Sequence, residues 1–456
     1  MNPITASQLS EILGATLKDG DPQALVSAGV STDSRKLDPG CAFFALRGER
    51  FNGDEFAAAA LEAGATVAVV QHWQGGEVAA GKAVIEVTDA LRALQRLAYW
   101  WRRQLDIPVI GITGSNGKTS TKDFSRAVLA RKFKVAATRG NLNNHIGVPL
   151  SVLSTTAEHT AAVYEMGMNH AGEITPLCEI AKPQYGIITN IGTAHIENLG
   201  SRDMIAEEKG MLARSLPKEG LLFLPATCEY HGYLRERTKS GIVVVGNGRG
   251  VVRAEKPVFE SERTLFQLII EGVGREEVVL PVGGRHMVTN ALLAAALGWK
   301  LGIEIEEIAA GLSETTFSGG RLQRFRSAGV QVIDDSYNAN PESVIAAIET
   351  LEDFPLNGGG RKFIVLGKMA ELGRHAGEAH ERIGKVAAER GLKVVAVGEG
   401  AEGIAQGAGE APYFSDFDQA STWLKREVQD GDVVLFKGSR AAAVEVLMNQ
   451  VFPPQD

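Results

Sequence analysis

The sequence predicts an α/β protein of three domains, and three observations carry that reading. Apolar runs of strand length alternate with helix-periodic segments along most of the chain. Many of the 52 glycines fall beside those runs, where tight strand–loop–helix turns belong. At roughly 100–200 residues per domain, 456 residues make about two to four domains. The blocks expected are 1–85, 86–313 and 314–456.

The first block opens on "MNPITASQLSEILGATL", where Thr5 and Gln8 are spaced for a helix capping box. "CAFFAL" and "ATVAVV" follow as short strands, with "DEFAAAALEAGA" as the helix between them. The second block begins with "TDALRALQRLAYWWRRQL". Leu91, Leu94, Leu97 and Trp101 recur at helical intervals, Thr88 is the expected N-cap, and Arg102 and Arg103 suit the negative C-terminal end. Strands are expected at "IPVIGIT", "FKVAAT", "AAVYEMG", "YGIITNIG" and "GLLFLP". Between 241 and 285 the character changes, and "GIVVVGN", "TLFQLII" and "EEVVLPV" read as an antiparallel addition. Helices "NALLAAALGWKLG" and "EIEEIAAGL" close the block. The third block runs "VQVIDD", "PESVIAAIETL", "KFIVLG", "GEAHERIGKVAAERG", "KVVAVG", "DVVLFKG", "RAAAVEVLM", a doubly wound α/β pattern.

Composition excludes several classes. Hydrophobic residues at 44% and charged residues at 22% are ordinary for a folded protein, which argues against extensive disorder. A net charge of −8 argues against a generally basic nucleic-acid binder, without excluding a local anion site. Cys41, Cys178 and Cys228 lie far apart with no C-x-x-C, so neither a disulfide framework nor a cysteine zinc site is expected. The N-terminal stretch lacks a basic leader and a long apolar core, and no run reaches the roughly 20 residues of a membrane span. A cytoplasmic enzyme is expected.

"IPVIGITGSNGKTSTKDFSRAVLA" carries the most specific chemistry: a strand, a Gly-rich turn, then a helix. The strict phosphate-loop pattern would place a glycine at 112, where Ile112 stands. Backbone N–H groups of 114 to 119 are nevertheless placed to face phosphate oxygens at a helix N-terminus. Gly114 and Gly117 permit close approach, Lys118 would reach terminal phosphates, and the Thr119 hydroxyl would bind Mg²⁺. A plain strand-to-helix turn with a surface lysine is the alternative.

Weaker signals follow. Glu165, in "VYEMGMNHAGEI", ends a strand and is a hard oxygen donor for Mg²⁺, or equally a surface residue or helix cap. His195, in "ITNIGTAHIENLGS", is in isolation more often structural. Glu207, Glu208 and Lys209 share a helix whose face, taken alone, reads as solvated. Arg321, after two glycines in "FSGGRLQRF", is placed to meet a phosphate, and Asp335, in "VIDDSYNANPES", to take a ribose hydroxyl. Asn338 and Asn340 precede a helix that starts at Pro341, where turn chemistry alone would also explain them.

Together and in this order, these motifs resemble the Mur ligase family of cell-wall synthesis over nearly the whole chain. The family's loop reads T-G-x-N-G-K-[ST], which accounts for Ile112. "TRGNLNNHIGVPLSVL", "EMGMNHAGEI", "NIGTAHIENLGS", "YNANPES" and "VLGKMAELG" carry the resemblance further. The diaminopimelate-adding relative would have Asp-Asn-Pro-Arg in the third block, and folate-tailing ligases lack the "EMGMN" and "YNANP" pair. "STDSRKLDPGCAFFALRGERFNGDEF" looks like the family's uridine-nucleotide module, although Asn52 and Asp54 depart from its usual Asp-Gly-His.

The resemblance implies a small UDP-substrate domain, a central P-loop ATPase-like domain with a mostly parallel sheet, and a C-terminal Rossmann-like domain. It implies ATP-dependent amide synthesis with Mg²⁺, joining D-alanyl-D-alanine to UDP-N-acetylmuramoyl-tripeptide through an acyl phosphate, by a monomer. Gly114, Ser115, Asn116, Gly117, Lys118, Thr119, Ser120, Asn290, Arg321 and Asp335 would hold ATP. Ser34, Arg35, Asn143, Asn144, Tyr337 and Asn338 would hold the other substrates. Thr119, Glu165, His195 and Lys209 would hold metal, Lys209 as a carbamate, with Lys118, His195 and Lys209 in catalysis. Another Mur or folate-type ligase, or a nucleotide switch or transport ATPase, are the competing readings.

Overall fold

Three separate main sheets organise the chain, one in each expected block. The computed structural model describes residues 1–246, 250–260, 262–318, 322–356 and 359–453. The N-terminal sheet has five strands, in the order Thr16–Gly20, Ala83–Glu86, Val67–Val70, Ala42–Phe44, Val30–Ser31. Only the Thr16–Gly20 edge pairs antiparallel. The capping box is present as expected. Thr5 accepts the Gln8 N–H while the Gln8 side chain accepts the Thr5 N–H, fixing the start of helix Ala6–Leu13.

Asn52 and Asp54 are structural in this fold. The Asp54 carboxylate is buried, accepts the N–H groups of Gln71 and His72 at 3.0 and 3.1 Å, and pairs with Arg47 at 2.7 Å. Asn52 caps the short 3-10 turn Gly53–Phe56.

Helix Ala90–Arg102 leads into the central domain. Its N-cap is Asp89, not Thr88: the Asp89 carboxylate accepts the N–H groups of Leu91 and Arg92 at 2.9 and 3.0 Å. A charged acceptor at this position outcompetes a hydroxyl one residue earlier. At the other end Arg102 is buried and donates to the carbonyls of Ala181 and Leu105, so it satisfies the C-terminus of helix Ile174–Ala181 as well.

The central sheet has nine strands. Val109–Thr113 sits between Ala161–Glu165 and Tyr185–Ile188, all parallel, with Val135–Ala137 beyond the former and Leu221–Pro225 beyond the latter. The antiparallel addition is real but starts later than expected. Gly241–Val245 is parallel to Leu221–Pro225, and the antiparallel pairs join Val252–Phe259, Thr264–Ile270 and Gly274–Leu280. Val252–Phe259 was not legible because "VRAEKPVF" has no strict alternation of polar and apolar residues.

The C-terminal sheet follows the doubly wound pattern, with Val433–Lys437 inserted between Val330–Asp334 and Lys362–Gly367. Lys393–Val397 and Tyr413–Phe414 extend it. Gln323–Ser327 adds an antiparallel edge. Among the described residues no helix is long and apolar enough to cross a membrane. Open parallel sheets gather ligands beyond their carboxyl strand ends. The central and C-terminal sheets direct such ends into one shared cleft.

Candidate active site

That cleft is a cavity of about 550 Å³ between the central and C-terminal domains. The central domain supplies Ser115 to Ser120, Asn143, Asn144, Glu165, Asn190, His195 and Asn290. From the C-terminal domain come Asp335, Tyr337, Asn338, Asn340, Glu342, Glu371 and Lys437.

The phosphate loop leaves the buried strand Val109–Thr113 and enters helix Lys118–Leu129. Glycine is needed at both bends. Gly114 has φ 152, and a Cβ there would lie 1.9 Å from Thr189 Oγ1. Gly117, the N-cap, has φ 79, and a Cβ would lie 2.7 Å from Asn290 Oδ1. The expectation that N–H groups from 114 onward all face phosphate is corrected in part. The Ser115 and Asn116 N–H groups bond to the Asn190 carbonyl and side-chain oxygens at 3.1 and 2.8 Å. The two loop N–H groups are thus tied to the strand-end loop at Asn190, and the helix N-terminus beyond them adds positive potential. Lys118 Nζ donates to the Gly114 carbonyl at 2.8 Å, folded back over the loop.

Thr119 and Glu165 meet as expected. The Thr119 hydroxyl donates to Glu165 Oε2 at 2.7 Å, and Asn143 Nδ2 donates to Oε1 at 2.8 Å. Asn144 Oδ1 accepts the Ile146 and Gly147 N–H groups at 3.1 and 2.9 Å. Both asparagines therefore shape the site whatever else they touch.

His195 caps the short helix Ile196–Leu199 with a left-handed backbone, φ 65. Its Nδ1 lies 2.5 Å from Glu371 Oε2, without hydrogen-bond alignment. The imidazole beside Glu371 holds that carboxyl below the usual carboxylate range, against the opposing effect of its burial.

The solvated face read for Glu208 and Lys209 is overturned. Lys209 is 1% exposed and Glu208 is 4% exposed. Glu208 accepts the Gly172 and Ile174 N–H groups, both at 2.7 Å, at the start of helix Ile174–Ala181. Burial drives the Lys209 amine well below the ordinary lysine value. The Lys118 charge adds to this, and Glu208 offsets it in part. Lys209 is not among the residues that line the cavity.

Asp335 Oδ2 pairs with the buried Lys437 at 2.6 Å, and Lys437 also donates to the Asn338 carbonyl at 2.9 Å. Ser34 and Arg35 stand apart from the cleft in the first domain, where Arg35 pairs with Asp33 at 2.9 Å. Arg321 lies outside the described residues.

Sequence reasoning missed Asn190, His286, Glu342, Glu371 and Lys437, all of which line the cleft. Glu342 and Glu371 lay inside quoted motifs, but their partners come from another domain. His286 is held down to about 4 by burial; Asp335 works against this and Lys437 reinforces it. Among the described residues no cluster of three or more His, Cys, Asp or Glu is placed to hold a metal.

A phosphate loop facing a second α/β domain across a cleft is the architecture of a multidomain nucleotide-using enzyme, and the chain belongs to the Mur ligase family. Family models match residues 27–101 (Mur ligase family, catalytic domain), 112–298 (Mur ligase middle domain) and 320–440 (Mur ligase, glutamate ligase domain). The chain is similar to the UDP-N-acetylmuramoyl-tripeptide–D-alanyl-D-alanine ligase of Escherichia coli K12, 35% identical over 98% of this chain and 97% of the relative. A crystal structure of MurF from Acinetobacter baumannii superposes with TM-score 0.90 at 36% identity, covering 99% of both chains. MurF ligase from Thermotoga maritima in complex with ADP matches at TM-score 0.81 and 27% identity, over 92% of this chain and 96% of that one.

Proposed function

We propose that this chain uses ATP to join D-alanyl-D-alanine to UDP-N-acetylmuramoyl-tripeptide, releasing ADP and phosphate. One observation carries the reading: the phosphate loop and Glu165 of the central domain share a cleft with Asp335, Tyr337 and Asn338 of the C-terminal domain. The Escherichia coli relative, named for these two substrates, and the ADP-bound Thermotoga maritima neighbour support it. We place the domain divisions near 85/86 and 313/314; the first falls at the last residue of strand Ala83–Glu86, and the second precedes every strand of the C-terminal sheet.

A carboxylate is a poor electrophile because its leaving group would be oxide. One of its oxygens therefore first bonds to the γ-phosphorus of ATP while the bond from that phosphorus to ADP breaks. The amine of D-alanyl-D-alanine then attacks the acyl carbon, loses a proton, and expels phosphate. Both partners of the first step are anions, so positive charge must be concentrated there. Lys118 and the helix N-terminus would supply it from the central domain.

The Thr119 hydroxyl and the buried Glu165 carboxylate are hard oxygen donors in contact, which fits Mg²⁺. They would hold one ion, and His195 with Lys209 a second; the ions would neutralise phosphate charge. As an amine Lys209 does not fit a cation site. Its lowered pKa favours the neutral form, which adds CO₂ and releases a proton to leave a carbamate anion with two oxygens. Asn290, Gly114 to Ser120 and Asp335 would hold the nucleotide. Ser34 and Arg35 would hold the UDP end, and Asn143, Asn144, Tyr337 and Asn338 the reacting ends.

Phosphate release tests the function. With ATP and Mg²⁺, release should require UDP-N-acetylmuramoyl-tripeptide and D-alanyl-D-alanine together. Equal release with either omitted would contradict it.

A further inference from the structure

Helix Pro341–Asp353 enters the cleft by its N-terminus and touches two central-domain loops at once. Its N-cap, Asn340, exchanges two amide hydrogen bonds with Asn116 of the phosphate loop, at 2.8 and 3.0 Å. Two residues on, Glu342 Oε1 accepts the Thr193 N–H and Oε2 accepts the Thr193 hydroxyl, each at 3.0 Å. The approach is close enough to require glycine next door: a Cβ on Gly192 would lie 2.8 Å from the Glu342 carboxyl carbon.

Thr193 stands two residues before His195. His195 and Glu371 face each other across the domain boundary, and both hold left-handed backbones, φ 65 and 63. Such conformations persist in non-glycine residues only where their surroundings hold them. The Glu371 carbonyl also accepts the Glu197 N–H at 3.1 Å. The 190–197 loop is thus fastened from the C-terminal domain at both ends of its His195 turn.

Electrostatics sharpens the question. Glu342 places a negative charge on the wall of a cleft that must admit ATP, a polyanion. Charge alone makes it a liability for binding, so it must contribute otherwise. The side chain sits in the first turn of its helix, and its two oxygens match the two Thr193 donors.

We propose that Glu342 is a positioning residue for ligation: across the domain boundary it grips Thr193 and so sets His195 relative to the phosphate loop that Asn340 holds. The proposal rests on the ligase reading above. Both nucleotide-facing loops are then aligned through one helix end. Glu342 acts on alignment through Thr193 and leaves ground-state binding of ATP little changed.

The test compares the wild-type chain with Glu342→Gln, Thr193→Val and the double variant. The amide in Glu342→Gln keeps the size of the carboxylate but offers one acceptor oxygen where two are used. The expected result is a fall in kcat of about tenfold for Glu342→Gln, with KM for ATP unchanged or lower. Thr193→Val should cost less in the Glu342→Gln background than alone. Amide hydrogen exchange, without substrate, should speed up at residues 190–197 and stay unchanged in strand Val109–Thr113. A kcat within twofold of wild type, a loss confined to KM, losses that multiply, or unchanged exchange at 190–197 overturns the proposal. A wild-type chain that ligates nothing would contradict the substrate reading instead, and the exchange measurement would still decide this one.

Discussion

Lys118 and Lys209 are two lysines under opposite demands. Lys118 must stay charged to meet a transferring phosphoryl group, and it sits at a helix N-terminus in the open cleft. Lys118→Ala should lower kcat on the order of 10²-fold or more while leaving the circular dichroism spectrum unchanged; near-normal turnover would remove it from the chemistry. Lys209 is buried and held toward the neutral amine. Lys209→Ala should be nearly inactive, and a small added carboxylic acid should restore part of the rate by supplying the missing oxygens. Full activity without additive would exclude Lys209 from the mechanism.

The same lysine makes a stability prediction. In the folded chain its amine gives up its proton at a pH well below the ordinary 10.5. Between those two values the unfolded chain binds one more proton, so stability rises with pH through the window and levels off above about 10.4. In CO₂-free buffer Lys209→Met should therefore melt above wild type at pH 7. That advantage should shrink as the pH approaches 10. A constant difference across that range would show that charge is not the cause.

At the scale of elements, the phosphate-loop strand, turn and helix were legible because each part has its own local signal. The strand is apolar, the bends need glycine, and the helix follows at once. The start of helix Pro341–Asp353 was equally plain from Asn340 and Pro341. Strands Val252–Phe259 and Gln323–Ser327 were missed because their polar faces mask the alternation. The turn also yields a prediction. Gly117→Ala would put a Cβ into a left-handed residue and against Asn290. Where the free loop shifts to relieve that strain, ATP must restore it, so binding should weaken about 5- to 150-fold, strain of this kind being of order 1–3 kcal/mol. Titration calorimetry showing wild-type affinity would mean that the loop relaxes freely.

Across the whole molecule, the cleft is bridged by contacts that no single domain contains. Glu342 to Thr193, Glu371 to His195 and Asn340 to Asn116 all cross between the central and C-terminal domains. Sequence order identified one side of each pair, the loops with Asn116 and His195. It marked Asn340 only as a turn residue and passed over Glu342 and Glu371, because partners separated by more than a hundred residues leave no local pattern. The buried state of Lys209 escaped for the same reason: its helix reads as polar, and only tertiary packing covers it. Closure on substrate is the expected consequence of a site split between domains.

The central claim is that ATP activates a carboxylate as an acyl phosphate in this cleft. The direct measurement starts from UDP-N-acetylmuramoyl-tripeptide carrying ¹⁸O in its terminal carboxylate, with D-alanyl-D-alanine, ATP and the full chain. Mass spectrometry then follows the released phosphate. The mechanism predicts an ¹⁸O atom in that phosphate for each amide formed, together with ADP. Amide formation with unlabelled phosphate, or with AMP and pyrophosphate as products, would contradict it.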